Sequence, residues 1–550
     1  MRKWSLAVTG VLTCVCLCSF GFAYAQEQPS ASAEVIVIGA GFSGLCAADR
    51  LVEEGVDVIL LEKEDRVGGK LLSVPLGGTY ANLGTQYLFY GGNPRMSAYM
   101  DLLPLFVPEG DLGAFWDGQL VTGADEFEML LNLPLSPSAM LDFLVAQLKM
   151  ELDHALIAMT REFFFDKEPE FPVWMTVEGQ SAAQYLSGFH PDVAGVYDMF
   201  VAPEGGGGVS ETTALLLAGW YAGPESEGGG RILVEGGNQG LSELVKEGFL
   251  QAGGRLVLSC EVAEVTDTGE KVQVRSNDGR LFESDYAVVA TPAHVTKEIV
   301  QGLTPAKLEA LEEVQYGPIG IIALHLACLP TPERLFGVIY GGGDIDINGY
   351  IDQTVPSGGN GDTETVISVI MAGDEEALYL DDADLVQRVA ASIQELDPGF
   401  DPDTCILDYA IQRWFRGIVR YPPGFLAQYQ QALREPLGRI HFAGDYTHNP
   451  ALDGAAWSGV RAAEQVLGVE PPAPCFITTA FSGTAMAERT TVLAKFRDTY
   501  LDKHEAGRWL TKTYYEYSPS MADFIADRGW LRALVRVLLT PLVGCVSLLM

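Results

Sequence analysis

Gly39, Gly41 and Gly44 stand at dinucleotide-motif spacing between an apolar run and a helical pattern. That spacing meets three needs: a tight turn, a backbone close enough to touch a pyrophosphate, and a helix packed hard on a sheet. Ser43 falls in the same turn, where the free N–H groups of a helix start favour negative charge. Glu62 ends the next apolar run, at the place where a carboxylate accepts both hydroxyls of an adenosine ribose and disfavours a 2′-phosphate. Together these residues call for an adenine dinucleotide, NAD or FAD, and argue against NADP. Metal chemistry is not expected, because His325, His441, His448 and the scattered cysteines have no ligand spacing and no CxxC pair.

Positioning these groups requires a strand, a helix and a second strand. Glu34 to Gly39 is a short β-branched run, Leu45 to Glu54 has helical periodicity ended by Gly55, and Val56 to Leu61 reads as the next strand. The order predicts a parallel βαβ unit of the Rossmann type and an α/β fold. From about Met100 to Trp220 the pattern is mostly helical, with Ser138 to Phe165 the longest stretch. Strands return at Arg255–Ser259, Val262–Thr266, Lys271–Ser276 and Tyr286–Ala290, divided by Gly-containing turns. Ile319–Leu326 and the region Val338–Met371 predict a second sheet, beside an amphipathic helix at Asp384–Leu396. Cys46, just inside the first helix, reads as a small buried packing residue, and no disulfide framework is legible.

The stretch Glu62-Lys-Glu-Asp-Arg66-Val-Gly68-Gly69-Lys70 resembles the Glu-x-x-x-Arg-x-Gly-Gly-Arg/Lys signature of the flavin amine oxidase superfamily, which includes monoamine oxidases, protoporphyrinogen oxidases and carotenoid desaturases. Further segments resemble the family in the same order: Asn82-Leu-Gly84-Thr85-Gln86-Tyr87, Gly236 to Leu241, Glu261-Val262, His441-Phe-Ala-Gly444-Asp445, and Leu452-Asp453-Gly454-Ala455-Ala456 followed by Ser458-Gly459 and Arg461. The resemblance covers about Glu34 to Leu467 and implies FAD as cofactor. It implies that Arg66, Gly69 and Lys70 approach the diphosphate and flavin, that Gly84, Thr85 and Gln86 border the flavin, and that the Val262 backbone meets the adenine. Asp445 then offers its carboxylate to the ribityl hydroxyls. Asp453 caps a helix, begun with Gly454 and Ala455, whose positive end faces the flavin N1–C2=O edge and raises its reduction potential.

The implied reaction is hydride transfer from a substrate C–H to flavin N5, with reoxidation by oxygen or another acceptor. Positioning supplies much of such catalysis, so no catalytic side chain is required to announce itself. Trp414, which can wall a flavin face or pack a core, and His448, which follows the Asp445 loop, are the candidates. The sequence also departs from the amine oxidase pattern. Ile319 to His325 holds no lysine of the kind often placed near N5, and Ala451 stands where a monoamine oxidase has a cage tyrosine. Gly179 to Leu186 is similar to the substrate domain of protoporphyrinogen oxidases and desaturases. The substrate is thus an amine or an apolar unsaturated molecule. A dehydrogenase or isomerase of an apolar substrate, similar to protoporphyrinogen oxidases and carotenoid desaturases, a flavin-bearing surface binding protein without redox chemistry, and an NAD dehydrogenase, weakened by the second FAD segment at Asp445, are the alternatives.

The 550-residue chain divides into an export signal at 1–25, FAD-binding segments at 26–100, 226–295 and 426–468, a helical substrate domain at 101–225, a substrate-domain sheet at 296–425, a linker at 469–474 and a small helical module at 475–550. That module begins Cys475-Phe-Ile477 and resembles a bacterial C-terminal domain named for that box. Leu531 to Met550 is apolar but interrupted by Arg532, Arg536 and Pro541, which predicts a docked or interfacial helix and a peripheral membrane contact. A formal charge of -38 repels phosphate backbones, so nucleic acid is excluded as a partner. The expected location is periplasmic or extracellular.

Overall fold

Val35, Ile36, Val37 and Ile38 are each at most 2% exposed, so this strand is covered on both faces. Its side chains alternate accordingly. Val35 and Val37 pack with Leu45 and Leu51 of the helix Phe42–Glu53, while Ile36 and Ile38 pack with Ile59, Val289 and Phe442 on the other side. A strand apolar on both sides belongs inside a parallel sheet, and that is where the computed structural model places it. The structure describes residues 30–469 apart from 90–92, 108–109, 161–175, 221–230, 332, 342–346 and 355–363. The expected export signal and the module at 475–550 lie outside the described residues, as does the linker beyond Val469.

The first sheet runs in the order Val262–Asp267, Val272–Ser276, Leu281–Val289, Ala31–Ile38, Val58–Leu61, Arg255–Val257, and Ile440–Phe442 pairs with the far half of Leu281–Val289. Its register positions the site. Ile38 opposes both Leu61 and Val289, Leu61 opposes Val257, and Val289 opposes Phe442, all in parallel. The carboxyl ends of these strands therefore stop at one level. Gly39, Glu62, Ala290 and Ala443 emerge there together, at the edge where open α/β sheets bind ligands.

The second sheet has the order Ile406–Arg420, Gln315–Leu326, Thr365–Ala372, Gly349–Asp352, Leu335–Gly341, Asp111–Trp116, Gln119–Gly123. Only the pair Leu335–Gly341 with Asp111–Trp116 is parallel. Helix Asp382–Leu396 covers one face through Leu385, Val389 and Ile393, packed on Ile322 and Leu324. Ile319, Ile321 and Ala323 face the other way, onto Leu76, Ala81 and Leu83. Helices Pro137–Thr160, Pro191–Gly205 and Ala214–Trp220 build a third apolar cluster that includes Tyr421 and Tyr446.

Two features correct the sequence-based expectation. The segment read as mostly helical donates a hairpin, Asp111–Trp116 and Gln119–Gly123, to the second sheet, because its partner strand lies more than two hundred residues downstream. Cys328 and Cys405 form a disulfide across a separation of 77 residues, where spacing alone suggested none. Cys46 is buried as expected, and burial with nearby Asp49 pushes its thiol far above the ordinary value. No helix among the described residues is long and apolar enough to cross a membrane.

Candidate active site

The glycine turn is built by close approach. Gly39 has φ +97°, and a Cβ there would lie 2.9 Å from the Ala290 carbonyl oxygen. A Cβ on Gly44 would lie 1.9 Å from the Gly39 oxygen, so this glycine packs the helix against the turn and does not line the cavity. Gly41 is the opposite case: it lines the cavity, and a Cβ would meet nothing within 4 Å. The helix that follows has no side-chain cap and no acidic residue in its first turn. Its N–H groups are thus offered toward open space beside Gly41 and Ser43, a cradle for an anion.

Glu62 joins the turn to the next strand. One carboxylate oxygen accepts from the Ala40 N–H at 2.6 Å and the other from the Glu64 N–H at 2.9 Å. Glu62 also lines the cavity, as does Val262. The loop beyond folds back until Gly69 would place a Cβ 3.1 Å from the Gly41 Cα. Here Arg66 departs from its expected role. Its guanidinium donates to the carbonyls of Gly69 at 2.8 Å and Leu71 at 3.3 Å and pairs with Glu64 at 2.9 Å, and it does not line the cavity. It holds the loop from behind. Lys70 does face inward, donating to Asp445 at 2.8 Å and closing the early loop onto the late motif.

The next wall is the loop from Asn82 to Tyr87. A Cβ on Gly84 would sit 1.8 Å from the Lys70 oxygen, and Thr85 N–H donates to that same oxygen at 3.0 Å. Gln86 Nε2 donates to the carbonyls of Asn82 and Gly84, at 2.9 and 2.8 Å. Gln86 Oε1 is left buried without a hydrogen-bond partner among the described residues, as expected of a group awaiting a ligand donor. Trp414 Nε1 donates to the Leu83 carbonyl at 2.6 Å, which fixes this loop, and Trp414 lines the cavity.

The far wall is the segment from Ile440 to Leu467. Gly444 has φ +141° and its N–H donates to Ser458 Oγ at 2.9 Å; Ser458 Oγ in turn donates to the Ala455 carbonyl at 2.7 Å and lies 3.3 Å from Ser43 Oγ. Tyr421 OH donates to the Asp445 carbonyl at 2.7 Å. Buried Arg461 donates to the Phe442 carbonyl at 2.9 Å and to Thr447 Oγ1 at 3.0 Å, so it holds the strand end and the loop together. Helix Leu452–Leu467 has Ala451 at its cap position without a side-chain cap bond. The expected cap, Asp453, instead occupies the first turn, where it lines the cavity; burial raises its pKa and the first-turn N–H groups oppose that rise. Gly454 does not line the cavity, since a Cβ there would lie 2.2 Å from Asn449 Oδ1; Ala455 and His448 do.

These walls enclose one cavity of about 1560 Å³. That exceeds the roughly 300–1,000 Å³ common for small-molecule sites, and leaves space for a dinucleotide and a second molecule. The open Gly41 cradle, the uncapped helix and the orphaned Gln86 oxygen fit FAD. Beyond them the cavity continues into an apolar chamber lined by Met199, Phe200, Leu215, Phe336, Val338 and Ile351. Tyr87 donates to Glu204 on that wall, and burial with the Glu204 carboxylate holds Tyr87 well above its ordinary pKa. Sequence reasoning missed Ala290, Thr291, Pro292 and His294 of the turn after Val289, Tyr316 and Glu204, all of which line the cavity. The turn was findable, because it follows a strand end level with Ile38. Glu204, on a helix distant in sequence, carried no signal.

The family model described as flavin containing amine oxidoreductase matches residues 42–467. A flavin-containing amine oxidase of Oncorhynchus mykiss is 25% identical over 492 residues, covering 81% of this chain and 91% of that protein. Among solved structures, a triple mutant of putrescine oxidase superposes with a TM-score of 0.66 at 18% identity, covering 80% of this chain and 99% of the other. Cyclohexylamine oxidase from Brevibacterium oxydans gives 0.65 at 18% identity, with 79% and 99% covered. These two similarities establish likeness of fold.

Proposed function

The chain belongs to the flavin containing amine oxidoreductase family, and from that premise we propose that its substrate is a small amine, oxidised in the apolar chamber beside Glu204 and Tyr87. It is an FAD-dependent oxidoreductase. When bound, FAD supplies the two-electron acceptor for hydrogen lost from the carbon next to nitrogen. The protein's residues bind and orient. Glu62 and Val262 stand at the adenosine end, the Gly41 cradle takes the diphosphate, and Lys70 with Asp445 meets the ribityl chain. The first turn of helix Leu452–Leu467, with Leu452, Asp453 and Ala455 on the cavity wall, would stand beside the flavin ring. The chamber walls exclude water, and the Glu204 carboxylate offers an acceptor to an ammonium group. Loss of two electrons and two protons turns the amine into an imine, which water hydrolyses to a carbonyl compound and an amine or ammonia.

The observation that carries this reading is the continuity of one cavity from the glycine cradle through the Lys70–Asp445 pair into an apolar chamber. The names of the relatives support an amine in particular. The test is a panel of amines, with porphyrinogens and polyenes beside them, scored anaerobically by bleaching of flavin absorbance (roughly 450 nm) and aerobically by peroxide. An amine should bleach the flavin and yield peroxide. Bleaching by a polyene or porphyrinogen alone would overturn the amine assignment.

The same proposal places the protein outside the cytoplasm, periplasmic or extracellular. The apolar run from Trp4 ending in Ala23-Tyr24-Ala25 has the form of an export signal, and the Cys328–Cys405 disulfide agrees with an oxidising compartment. The segments at 475–550, with the Cys-Phe-Ile box and the apolar stretch 531–550, would supply an appendage with peripheral membrane contact. Fractionation of cells expressing the full chain, read by flavin fluorescence and blotting, checks both points; signal confined to the soluble cytoplasm would overturn them.

A further inference from the structure

Strand Ile406–Arg420 runs antiparallel to Gln315–Leu326, and its register breaks beside the cavity: Gly317 opposes Ile418, whereas Ile319 opposes Trp414. Phe415, Arg416 and Gly417 therefore stand against Pro318 alone. A bulge re-aims the side chains it carries. Gly417 makes this one fit, since its Cβ position already lies 3.1 Å from Ile319 Cβ and has no room for a larger side chain. Arg416 is exposed and lines the cavity. His294, just after the strand end at Val289, lines it too and lies within electrostatic reach of Arg416.

The other basic groups of the site are engaged. Arg66 is bound to its own loop and Glu64, Lys70 to Asp445, Arg231 to Glu126, and Arg413 to Asp382 and two carbonyls. Among the described cations lining the cavity, Arg416 and Lys63 have neither a hydrogen bond nor an ion pair. A helix N-terminus offers only about half a positive charge, well short of a diphosphate. We propose that Arg416, with His294 beside it, holds the FAD diphosphate, the role that the sequence suggested for Arg66. This rests on the FAD reading above.

The chemistry suits the two groups. A guanidinium presents paired N–H donors that match phosphate oxygens. His294 meets the anion as a neutral donor, because burial and then the Arg416 charge push its pKa down to about 4. Its Nδ1 is buried without a hydrogen-bond partner among the described residues.

The experiment measures release of FAD from the holoprotein by flavin fluorescence at low and high salt, for wild type, Arg416→Gln and Arg416→Lys. Binding of riboflavin, which shares the ring and ribityl chain but has no phosphate, is measured by the same signal. Arg416→Gln should weaken FAD binding roughly tenfold or more, flatten its salt dependence and leave riboflavin binding within about twofold; Arg416→Lys should restore part of the loss. Equal loss of FAD and riboflavin would mean a structural role and overturn the proposal, as would unchanged FAD release in Arg416→Gln. A rise in KM confined to carboxylate-bearing amines would also overturn it and move the anion to the substrate. Wild-type protein that holds no FAD would sink the cofactor reading itself, a result distinct from the others.

Discussion

The Lys70–Asp445 contact joins residues 375 apart in sequence and brings the two halves of the cofactor site together. Removing either side leaves the other charge facing the cavity, so Lys70→Met and Asp445→Asn should each weaken FAD binding. The double variant should lose less than the sum, with a coupling of roughly 0.5–3 kcal/mol, read by fluorescence titration of the apoprotein. Additive losses would show that the two groups act separately. Glu178 sets a different dependence. It is 1% exposed, its carboxylate accepts from the Leu426 N–H at 2.9 Å, and burial raises its pKa to about 7 from an ordinary 4.5. Between those values the folded chain binds the proton more tightly than the unfolded chain does. Its stabilising contribution is therefore full below about 4.5 and lost as pH rises to about 7, a change of up to about 3 kcal/mol. The melting temperature of Glu178→Gln should gain on wild type between pH 5 and pH 8; a gap independent of pH would show that Glu178 titrates alike in both states.

Helices Phe42–Glu53 and Leu452–Leu467 meet where Gly459 faces Ser43. A Cβ on Gly459 would lie 2.1 Å from the Ser43 carbonyl oxygen, and Ser43 Oγ and Ser458 Oγ are 3.3 Å apart beside it. Gly459→Ala should force the helices apart at a cost of about 1–3 kcal/mol, lowering the melting temperature and loosening FAD, because the first turns of both helices line the cavity. Unchanged melting and FAD retention would mean the helices yield freely. Such a contact is invisible in sequence, although the helices are not. Local patterns revealed the βαβ unit, because Val35 to Ile38 and the helix after Gly41 fold by near-neighbour rules, and likewise the helix Asp382–Leu396, by its apolar stripe. The hairpin Asp111–Gly123 was hidden because its sheet partner is distant and its residues alternate weakly. The long strand Ile406–Arg420 was hidden because it is an edge strand with much polar sequence. The site followed the same division: glycines and carboxylates in contiguous motifs were legible, whereas the inward turn of Arg416 depends on a register break between two strands.

Across the whole molecule, the Cys328–Cys405 bond ties the end of strand Gln315–Leu326 to the start of Ile406–Arg420, its neighbour in the second sheet. Closing a loop that long restricts the unfolded chain, so replacing both cysteines by serine should cost roughly 2–4 kcal/mol, measured by urea denaturation. No shift in the midpoint would show that the bond is not formed in solution. Cys46 and Cys260, both buried, should stay unreactive toward thiol reagents in the native protein. The first sheet carries a consequence for biogenesis. Strand Ile440–Phe442 slots beside Leu281–Val289, whose other partners all come earlier in the chain, and Gly444 and Asp445 follow directly behind it. A nascent polypeptide halted short of residue 440 would present a bare seam along Ala287–Val289 and half a bed for its nucleotide. The bed for FAD is then complete only once that late strand has joined the sheet, so the cofactor seats on a finished chain.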